Sequence, residues 1–307
     1  MFEIGLPDDM LDRMWKREWW RELLAYRDEG IPLFVAVRNN YLSVYVCGRA
    51  IFKEIREKKN GAIHAIFDKR YFYGPKTPVG DLIFNGDNVC DKKSGAVIQG
   101  GTARLRDLER WVKEIKKYKL VNLDDVTLSK ESMDIGEKEC LASRAANPKV
   151  INLEMALKGF VSNGRRTAPR IDMVHLERNG PDVACVFTEA KLFRNKDSLR
   201  KSGEDDAPVV TQVLDYKRYL EKNKDDIRSA YRKACKLLIP IRKAQGAKVD
   251  SLLEDVAGGA SLNLVTLPRV LIFRTGQVSP RSAVAWAPHR EKIVRHGIAV
   301  EEVDAVD

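Results

Sequence analysis

The pattern of apolar and polar residues predicts two regions of different architecture. Near the N-terminus, apolar residues at helical spacing follow Pro7-Asp8-Asp9, which predicts a helix over about 7–29. Apolar and polar residues then alternate from Ile31 to Phe72, as in antiparallel strands, with a hairpin turn at Asn39-Asn40. A loop over 74–101 and an amphipathic helix over 104–120 complete this α+β region.

The polar segment 122–132 predicts a boundary between an N-terminal α+β domain, residues 1–128, and a second domain, residues 129–307. In the second domain the pattern predicts helices over 135–146, 149–161, 209–222 and 225–244, and strands over 170–177, 183–192, 270–273 and 298–300. Segments 164–169 and 194–207 are predicted loops, the second of them mobile. We therefore predict an α/β fold with a mixed central β-sheet flanked by helices.

Composition narrows the class of function. The 307 residues carry 54 Lys and Arg against 44 Asp and Glu, a net charge of +10, which favours a polyanionic partner but is also compatible with solubility alone. Five scattered cysteines argue against both a disulfide framework and a zinc cluster. No apolar stretch approaches the roughly 20 residues that span a bilayer, and the N-terminus does not resemble a secretory signal. We expect a cytoplasmic protein with no membrane partner.

The candidate chemistry lies in the predicted hairpin, at Asp172 and at Glu189-Ala190-Lys191. Asp172 has apolar neighbours, where an unpaired carboxylate is unfavourable. Glu189 and Lys191 are two apart on a strand, so their side chains share a face, and pairing brings Asp172 towards Glu189. Two such carboxylates repel unless a cation lies between them, and oxygen ligands suit Mg²⁺ or Mn²⁺. A simpler interpretation stays open, in which Asp172 pairs with Arg170, and Glu189 and Lys191 form an exposed pair on an edge strand.

This arrangement resembles the PD-(D/E)xK nuclease superfamily, whose fold is restriction-endonuclease-like. In that family a helix supplies a Glu, a strand supplies an Asp, and the next strand supplies the acidic-x-Lys pair. Here Glu154 matches the helix Glu, with Glu137 or Glu139 as alternatives, and Asp172, Glu189 and Lys191 match the rest. Ile171 replaces the family's proline. The resemblance covers about 149–220, and implies metal ligation by Asp172, Glu189 and Glu154, with Lys191 as a further catalytic residue.

A second element of the resemblance lies downstream. Gln212 and Tyr216 match the Q-x-x-x-Y element of RecB-like members and share one helix face, where the family contacts the substrate strand or the water network. An alternative role for this pair is helix capping and packing. Arg165, Arg166 and Arg170 precede the Asp strand and either hold phosphates of the substrate or form a solvated basic surface.

The resemblance leads to two hypotheses of different class. The first is a Mg²⁺- or Mn²⁺-dependent nuclease that cleaves DNA, with RNA not excluded, in genome defence or DNA-end processing. The second is a nucleic-acid-binding or assembly subunit that keeps the fold without catalysis. For residues 1–128 the sequence leaves open substrate selection, a protein partner and homo-oligomer formation.

Overall fold

The computed structural model describes residues 2–46, 48–67, 81–99, 109–110, 112–113, 136–157, 159–162, 165–200, 205–275 and 280–304. The chain divides into two compact units. The N-terminal unit comprises 3–131 with 236–249, and the C-terminal unit comprises 1–2, 132–235 and 250–307. The predicted boundary segment 122–132 lies outside the described residues.

The N-terminal unit contains two short helices and an antiparallel sheet. The helices are α1 (Met10–Trp15) and α2 (Glu18–Ala25), so the single predicted helix over 7–29 is wrong. Arg17 lies between them with extended backbone angles, φ −89° and ψ 124°, which ends the helical hydrogen bonding. Trp19 and Trp20 lie in the first turn of α2, and both are buried. Trp19 packs edge-on against Phe84 with ring centroids 5.5 Å apart.

Seven strands form the main sheet of this unit in sequence order, all antiparallel. They are β3 (Phe34–Val37), β4 (Leu42–Val46), β5 (Arg49–Glu57), β6 (Ile63–Phe67), β7 (Leu82–Phe84), β8 (Val89–Asp91) and β9 (Val97–Gln99), after a small ribbon of β1 (Arg27–Asp28) and β2 (Ile31–Pro32). The predicted loop over 74–101 is therefore wrong where it is described, because 82–99 contains three strands. Of the predicted helix over 104–120, the four residues described are helical, and the rest lies outside the described residues.

The C-terminal unit contains a five-stranded mixed sheet in the order β10-β13-β14-β15-β16. Its strands are β10 (Val150–Ala156), β13 (Arg170–Asn179), β14 (Asp182–Leu192), β15 (Leu262–Arg274) and β16 (Val300–Asp304), and a separate ribbon pairs β11 (Phe160–Ser162) with β12 (Arg165–Thr167). The first two pairings are antiparallel and the last two are parallel. The predicted hairpin is confirmed. The predicted strand over 270–273 is part of the longer β15, and the strand predicted over 298–300 is shifted to β16.

Helices flank this sheet, which confirms a mixed α/β architecture. They are α3 (Glu137–Ala145), α4 (Lys196–Leu199), α5 (Pro208–Lys222), α6 (Lys224–Ala244), α7 (Ser251–Ala257) and α8 (Pro280–Val294). Helix α5 covers β15 through an apolar cluster that includes Val209, Val213, Val270 and Ile272. Two loop predictions are wrong in part, since 165–167 forms β12 and 196–199 forms α4.

Two further findings bear on the sequence analysis. The four cysteines that the structure describes carry free thiols, three of them buried. Within the described ranges, no helix is both long and apolar enough to cross a membrane.

Candidate functional site

The hairpin of β13 and β14 brings the two predicted carboxylates to one face of the sheet. The strands join through a turn at Gly180, whose φ of 59° is readily adopted by glycine. Their register pairs Met173 with Thr188, so Asp172 and Glu189, one position further, lie opposite each other. Residues opposite each other on antiparallel strands point to the same side, as the sequence predicted.

Asp172 lies near the start of β13, where its carboxylate is partly anchored. The Ala190 backbone N–H donates to Asp172 Oδ2 at 2.8 Å, which fixes the carboxylate against the neighbouring strand. Burial raises the pKa of Asp172 to about 6, and the charges of Glu137 and Glu154 add to this, against the Ala190 N–H and the Lys191 ammonium. Asp172 is therefore held in place but is electrostatically disfavoured as an anion.

Glu189 is the most unusual residue of the site, because only 2% of its surface is exposed on a strand whose other buried residues are mostly apolar. Its Oε1 accepts from the Lys191 ammonium and from Gln212 Nε2, the latter at 2.7 Å. Its Oε2 is buried and has no hydrogen-bond partner among the described residues. Burial, followed by the charge of Asp172, raises the pKa of Glu189 to about 8, although Lys191 opposes the shift.

Lys191 supplies the one ammonium that the structure shows bonded to Glu189. It is 7% exposed, so burial by itself would lower the pKa of Lys191. The nearby charges of Glu189, Asp172 and Glu137 outweigh burial and raise that pKa. Lys191 therefore stays positively charged near neutral pH in this setting.

Glu137, in the first turn of α3, is the helix carboxylate that belongs to the site. Its Oε1 accepts from the Leu192 backbone N–H and from Asn195 Nδ2, both at 3.3 Å, directly after the Glu189-Ala190-Lys191 segment. Its charge contributes to the raised pKa values of both Asp172 and Glu189. From the sequence alone, Glu137 is predicted only as an alternative to Glu154.

Glu154 lies on a strand, so the predicted helix over 149–161 is wrong. The segment forms β10, which pairs with β13, and Glu154 has a left-handed φ of 50°. Its two oxygens face cations, with Lys138 Nζ at 2.6 Å and Arg170 Nη1 at 3.3 Å. Its charge still reaches Asp172, and its role as a metal ligand stays a prediction.

Gln212 and Tyr216 lie one turn apart on α5 and join the site through a chain of hydrogen bonds. Besides donating to Glu189, Gln212 Nε2 lies 2.6 Å from the Tyr216 hydroxyl. That hydroxyl donates to the backbone oxygen of Arg170 at 3.2 Å. Tyr216 is buried, and burial raises its pKa, so it stays a neutral donor. These contacts place Gln212 and Tyr216 beside the carboxylates. Contact of the pair with a substrate strand stays a prediction.

The three predicted phosphate-binding arginines lie in two elements. Arg165 and Arg166 are on β12, and the structure describes their backbone alone. Arg170 begins β13 with an exposed side chain that pairs with Glu154 rather than with Asp172. Among the described residues Arg170 therefore pairs with Glu154 and not with Asp172, and Glu189 pairs with Lys191 on a buried central strand and not on an exposed edge strand.

The acidic side chains of the site form a small donor set for a divalent cation. Throughout the described part of the chain, no group of three or more His, Cys, Asp or Glu side chains is arranged as a ready metal site. Two carboxylates nevertheless converge, and no described residue bonds Glu189 Oε2. Mg²⁺ commonly binds one or two carboxylates and keeps several waters, so this smaller donor set fits it. A bound cation would also offset the cost of ionising both acids.

Comparison with known proteins adds no family to this description. No protein-family model, no characterised protein and no solved structure matches the chain.

Proposed function

We propose that this protein is a metal-dependent nuclease that hydrolyses phosphodiester bonds in DNA, with RNA as an alternative substrate. One observation supports this most directly. Glu189 is buried on a central strand, near Asp172 of the neighbouring strand. One of its oxygens is bound to Lys191 and Gln212, and the other has no partner among the residues that the structure describes. A buried acid with an open oxygen is unfavourable for stability alone, so a ligand for that oxygen is the economical explanation.

Asp172 and Glu189 would hold Mg²⁺ or Mn²⁺. When bound, such an ion polarises a phosphoryl oxygen and lowers the pKa of a coordinated water. Lys191 stays an ammonium because nearby carboxylates raise its pKa, which suits it to stabilise negative charge on the phosphate rather than to remove a proton. Gln212 fixes Glu189 Oε1, and Glu137 fixes the strand end after Lys191.

The order of elements supports a place in the PD-(D/E)xK superfamily with a restriction-endonuclease-like fold. Helix α3 supplies Glu137, β13 supplies Asp172, β14 supplies Glu189 and Lys191, and α5 supplies Gln212 and Tyr216. This is the order on which the resemblance rests, with Glu137 in place of Glu154. A cytoplasmic role in genome defence or DNA-end processing is part of the same proposal.

A second candidate is a nucleic-acid-binding subunit without catalysis. It is favoured by the lack of a preassembled three-ligand group within the described residues. Such a subunit would bind DNA in a salt-sensitive manner and be indifferent to metal. The two candidates therefore differ in whether a divalent ion changes the outcome.

A cleavage assay separates them. Purified protein is incubated with linear, circular and single-stranded DNA and with RNA, each with Mg²⁺, Mn²⁺ or EDTA. We expect metal-dependent cleavage that EDTA abolishes and that falls by about 10²–10³-fold or more in Asp172→Asn and Lys191→Ala, the range for loss of one charge-stabilising group.

Matched controls keep the charge change and move it elsewhere in the same unit. Asp197→Asn and Lys149→Ala alter exposed residues, and both should cleave like the unaltered protein. Cleavage that persists in Asp172→Asn and Lys191→Ala at the level of these controls would remove the proposed site.

A further inference from the structure

A cavity of about 640 Å³ that is largely open to solvent lies in the N-terminal unit, at the end of β5 and the start of β6. Its floor includes Ile66 and Ile83 from adjacent strands, and its rim carries Arg56, Lys58, Lys59 and Lys92. Cavities of 300–1,000 Å³ with an apolar lining and a few polar groups are the usual size and character of small-ligand sites. No role has been assigned to this cavity so far.

The rim is positively charged even after its ion pairs are considered. Arg56 pairs with Glu54, Lys92 lies 3.7 Å from Asp81, and Glu57 is bound to Arg13 at 2.6 Å. Lys58 and Lys59 are both exposed, and neither forms an ion pair with another residue in the part of the chain that the structure describes. An excess of cations around a concave surface attracts anions and disfavours a metal ion.

His64 gives the cavity a neutral polar group. It is 7% exposed, lies opposite Arg56 in the β5–β6 register, and its buried Nδ1 has no hydrogen-bond partner among the described residues. Burial, followed by the charges of Lys58, Arg56 and Lys92, lowers the pKa of His64 to about 4, so the ring is uncharged near neutral pH. The ring therefore lines the cavity as a neutral group, and its unpartnered Nδ1 is a buried hydrogen-bonding atom.

The apolar floor and the neutral imidazole suit the base of a nucleotide, and the cationic rim suits its phosphates. A base would lie against Ile66 and Ile83 beside His64, and its flanking phosphates would meet Lys58 and Lys59. A base inside a duplex must first be unpaired and unstacked, which costs a few kcal/mol, so an unpaired strand places a base in such a site more readily.

We propose that this cavity is a second nucleic-acid-binding site, which receives one nucleotide of an unpaired strand. The choice of nucleic acid over other polyanions rests on the proposed nuclease function. The site would give the N-terminal unit a role in substrate selection, with strandedness as the property selected.

Binding in EDTA tests this inference separately from cleavage. Fluorescence anisotropy of the full chain is measured with a labelled deoxythymidine oligonucleotide, its abasic counterpart and a duplex, over a range of salt concentrations. The Lys58→Ala/Lys59→Ala variant should bind the oligonucleotide at least about tenfold more weakly, and its salt slope should fall by about 1.4, given roughly 0.7 per phosphate contact in single strands.

The contribution of the base is measured with a second variant. The unaltered protein should prefer the deoxythymidine strand over the abasic strand by at least about fivefold, the lower end for one stacked base. Ile83→Ser keeps every charge of the rim and should remove most of that preference. Because Ile83 is half-buried rather than fully buried, circular dichroism melting should show that the variant remains folded.

The control is Lys16→Ala/Arg21→Ala, which removes two exposed charges elsewhere in the same unit. Equal losses in the control and in Lys58→Ala/Lys59→Ala would overturn the proposal, as would polyglutamate competing as well as the oligonucleotide. Loss of binding in the cavity variants without any metal-dependent cleavage by the unaltered protein would support this site and reject the nuclease proposal. Cleavage with unchanged binding in the cavity variants would do the reverse.

Discussion

The two sheets of this protein place charge in opposite ways. In the seven-stranded sheet of the N-terminal unit, the fully buried side chains are apolar, such as Phe52 and Phe84, and the buried histidine is held neutral. In the five-stranded sheet of the C-terminal unit, the central strand β14 buries both Glu189 and Lys191. The first arrangement maximises apolar burial, whereas the second gives up part of it.

This difference shows where stability and function diverge. Burying an ion pair is often no more favourable than burying apolar residues of the same volume, because desolvation offsets the attraction between the charges. Glu189 and Lys191 are therefore poorly explained as stabilising residues, and the charge of Asp172 makes the anionic form of Glu189 less favourable still. We infer that β14 carries charge for the sake of a ligand, while the N-terminal sheet core is built for stability.

The largest expected effect is on the N-terminal sheet. Phe84 is fully buried and packs against Trp19 and Phe52, so Phe84→Ala should lower the free energy of unfolding by about 3–5 kcal/mol. Val97→Ala, at a residue 59% exposed, should stay within about 0.5 kcal/mol. Denaturant unfolding measures both. If Phe84→Ala remains folded but loses Mg²⁺ binding to the same extent as Asp172→Asn, the proposed division between a stabilising sheet and a ligand-binding sheet is wrong.

The next effect has the opposite sign and concerns β14. In EDTA, Glu189→Leu/Lys191→Met should raise the free energy of unfolding by about 1–4 kcal/mol, because the pair no longer requires desolvation. Lys191→Met alone should lower it by roughly 3 kcal/mol, since Glu189 is left buried without its ammonium. Both variants should be inactive in cleavage. A double variant that is less stable than the unaltered protein would show that the pair serves stability after all.

The third expectation is a pH dependence that resides in the C-terminal sheet. Folding raises the pKa of Asp172 to about 6 and of Glu189 to about 8, so the folded state binds more protons than the unfolded state between the ordinary carboxylate range and those values. In EDTA, this contribution to stability is full below about pH 4 and is lost as pH rises through about 6 and about 8.

Thermal melts of the unaltered protein and of Glu189→Gln are recorded from about pH 5 to about pH 8. Over this range, the change in the free energy of unfolding should differ between the two proteins by at least about 1 kcal/mol. Mg²⁺ should raise the melting temperature of the unaltered protein more at the upper pH, because protons compete with the ion. Parallel pH profiles for the two proteins would contradict the electrostatic account of β14.

The smallest expected effect is at the edge of the site. Tyr216→Phe removes the donor to the Arg170 carbonyl and one partner of Gln212, and should lower the free energy of unfolding by about 0.5–1.5 kcal/mol. Tyr219→Phe, on the same helix, is the matched control for loss of a hydroxyl. An unchanged stability together with full cleavage would reduce Tyr216 to a packing residue.

The hairpin and its charged face were predictable because strand periodicity is a local property. Glu189 and Lys191 are two apart, and a short turn fixes the register that brings Asp172 opposite Glu189. The helix predicted over 149–161 was wrong because Leu153, Glu154 and Met155 favour helices in isolation. Pairing of that segment with β13 overrides the local preference, and only the assembled sheet reveals this.

Other features depend on the fold as a whole. The short strands β7 to β9 are separated by turns that Asn85 and Asp91 stabilise through their own side chains, so turn residues dominate the sequence there. Glu137 joins the site because α3 meets the end of β14, and the open Oε2 of Glu189 depends on every surrounding residue. Neither relation is encoded in a short sequence pattern.

Isothermal titration calorimetry with Mg²⁺ and Mn²⁺, repeated in buffers of different ionisation enthalpy near neutral pH, tests the central claim most directly. The protein should bind one ion and release up to about one proton, because ligation requires the Glu189 carboxylate to ionise. Glu189→Gln and Asp172→Asn should lose this binding, while Glu254→Gln, an exposed residue of the same unit, should retain it. Absence of binding to the unaltered protein, or equal binding to all four proteins, would contradict the account.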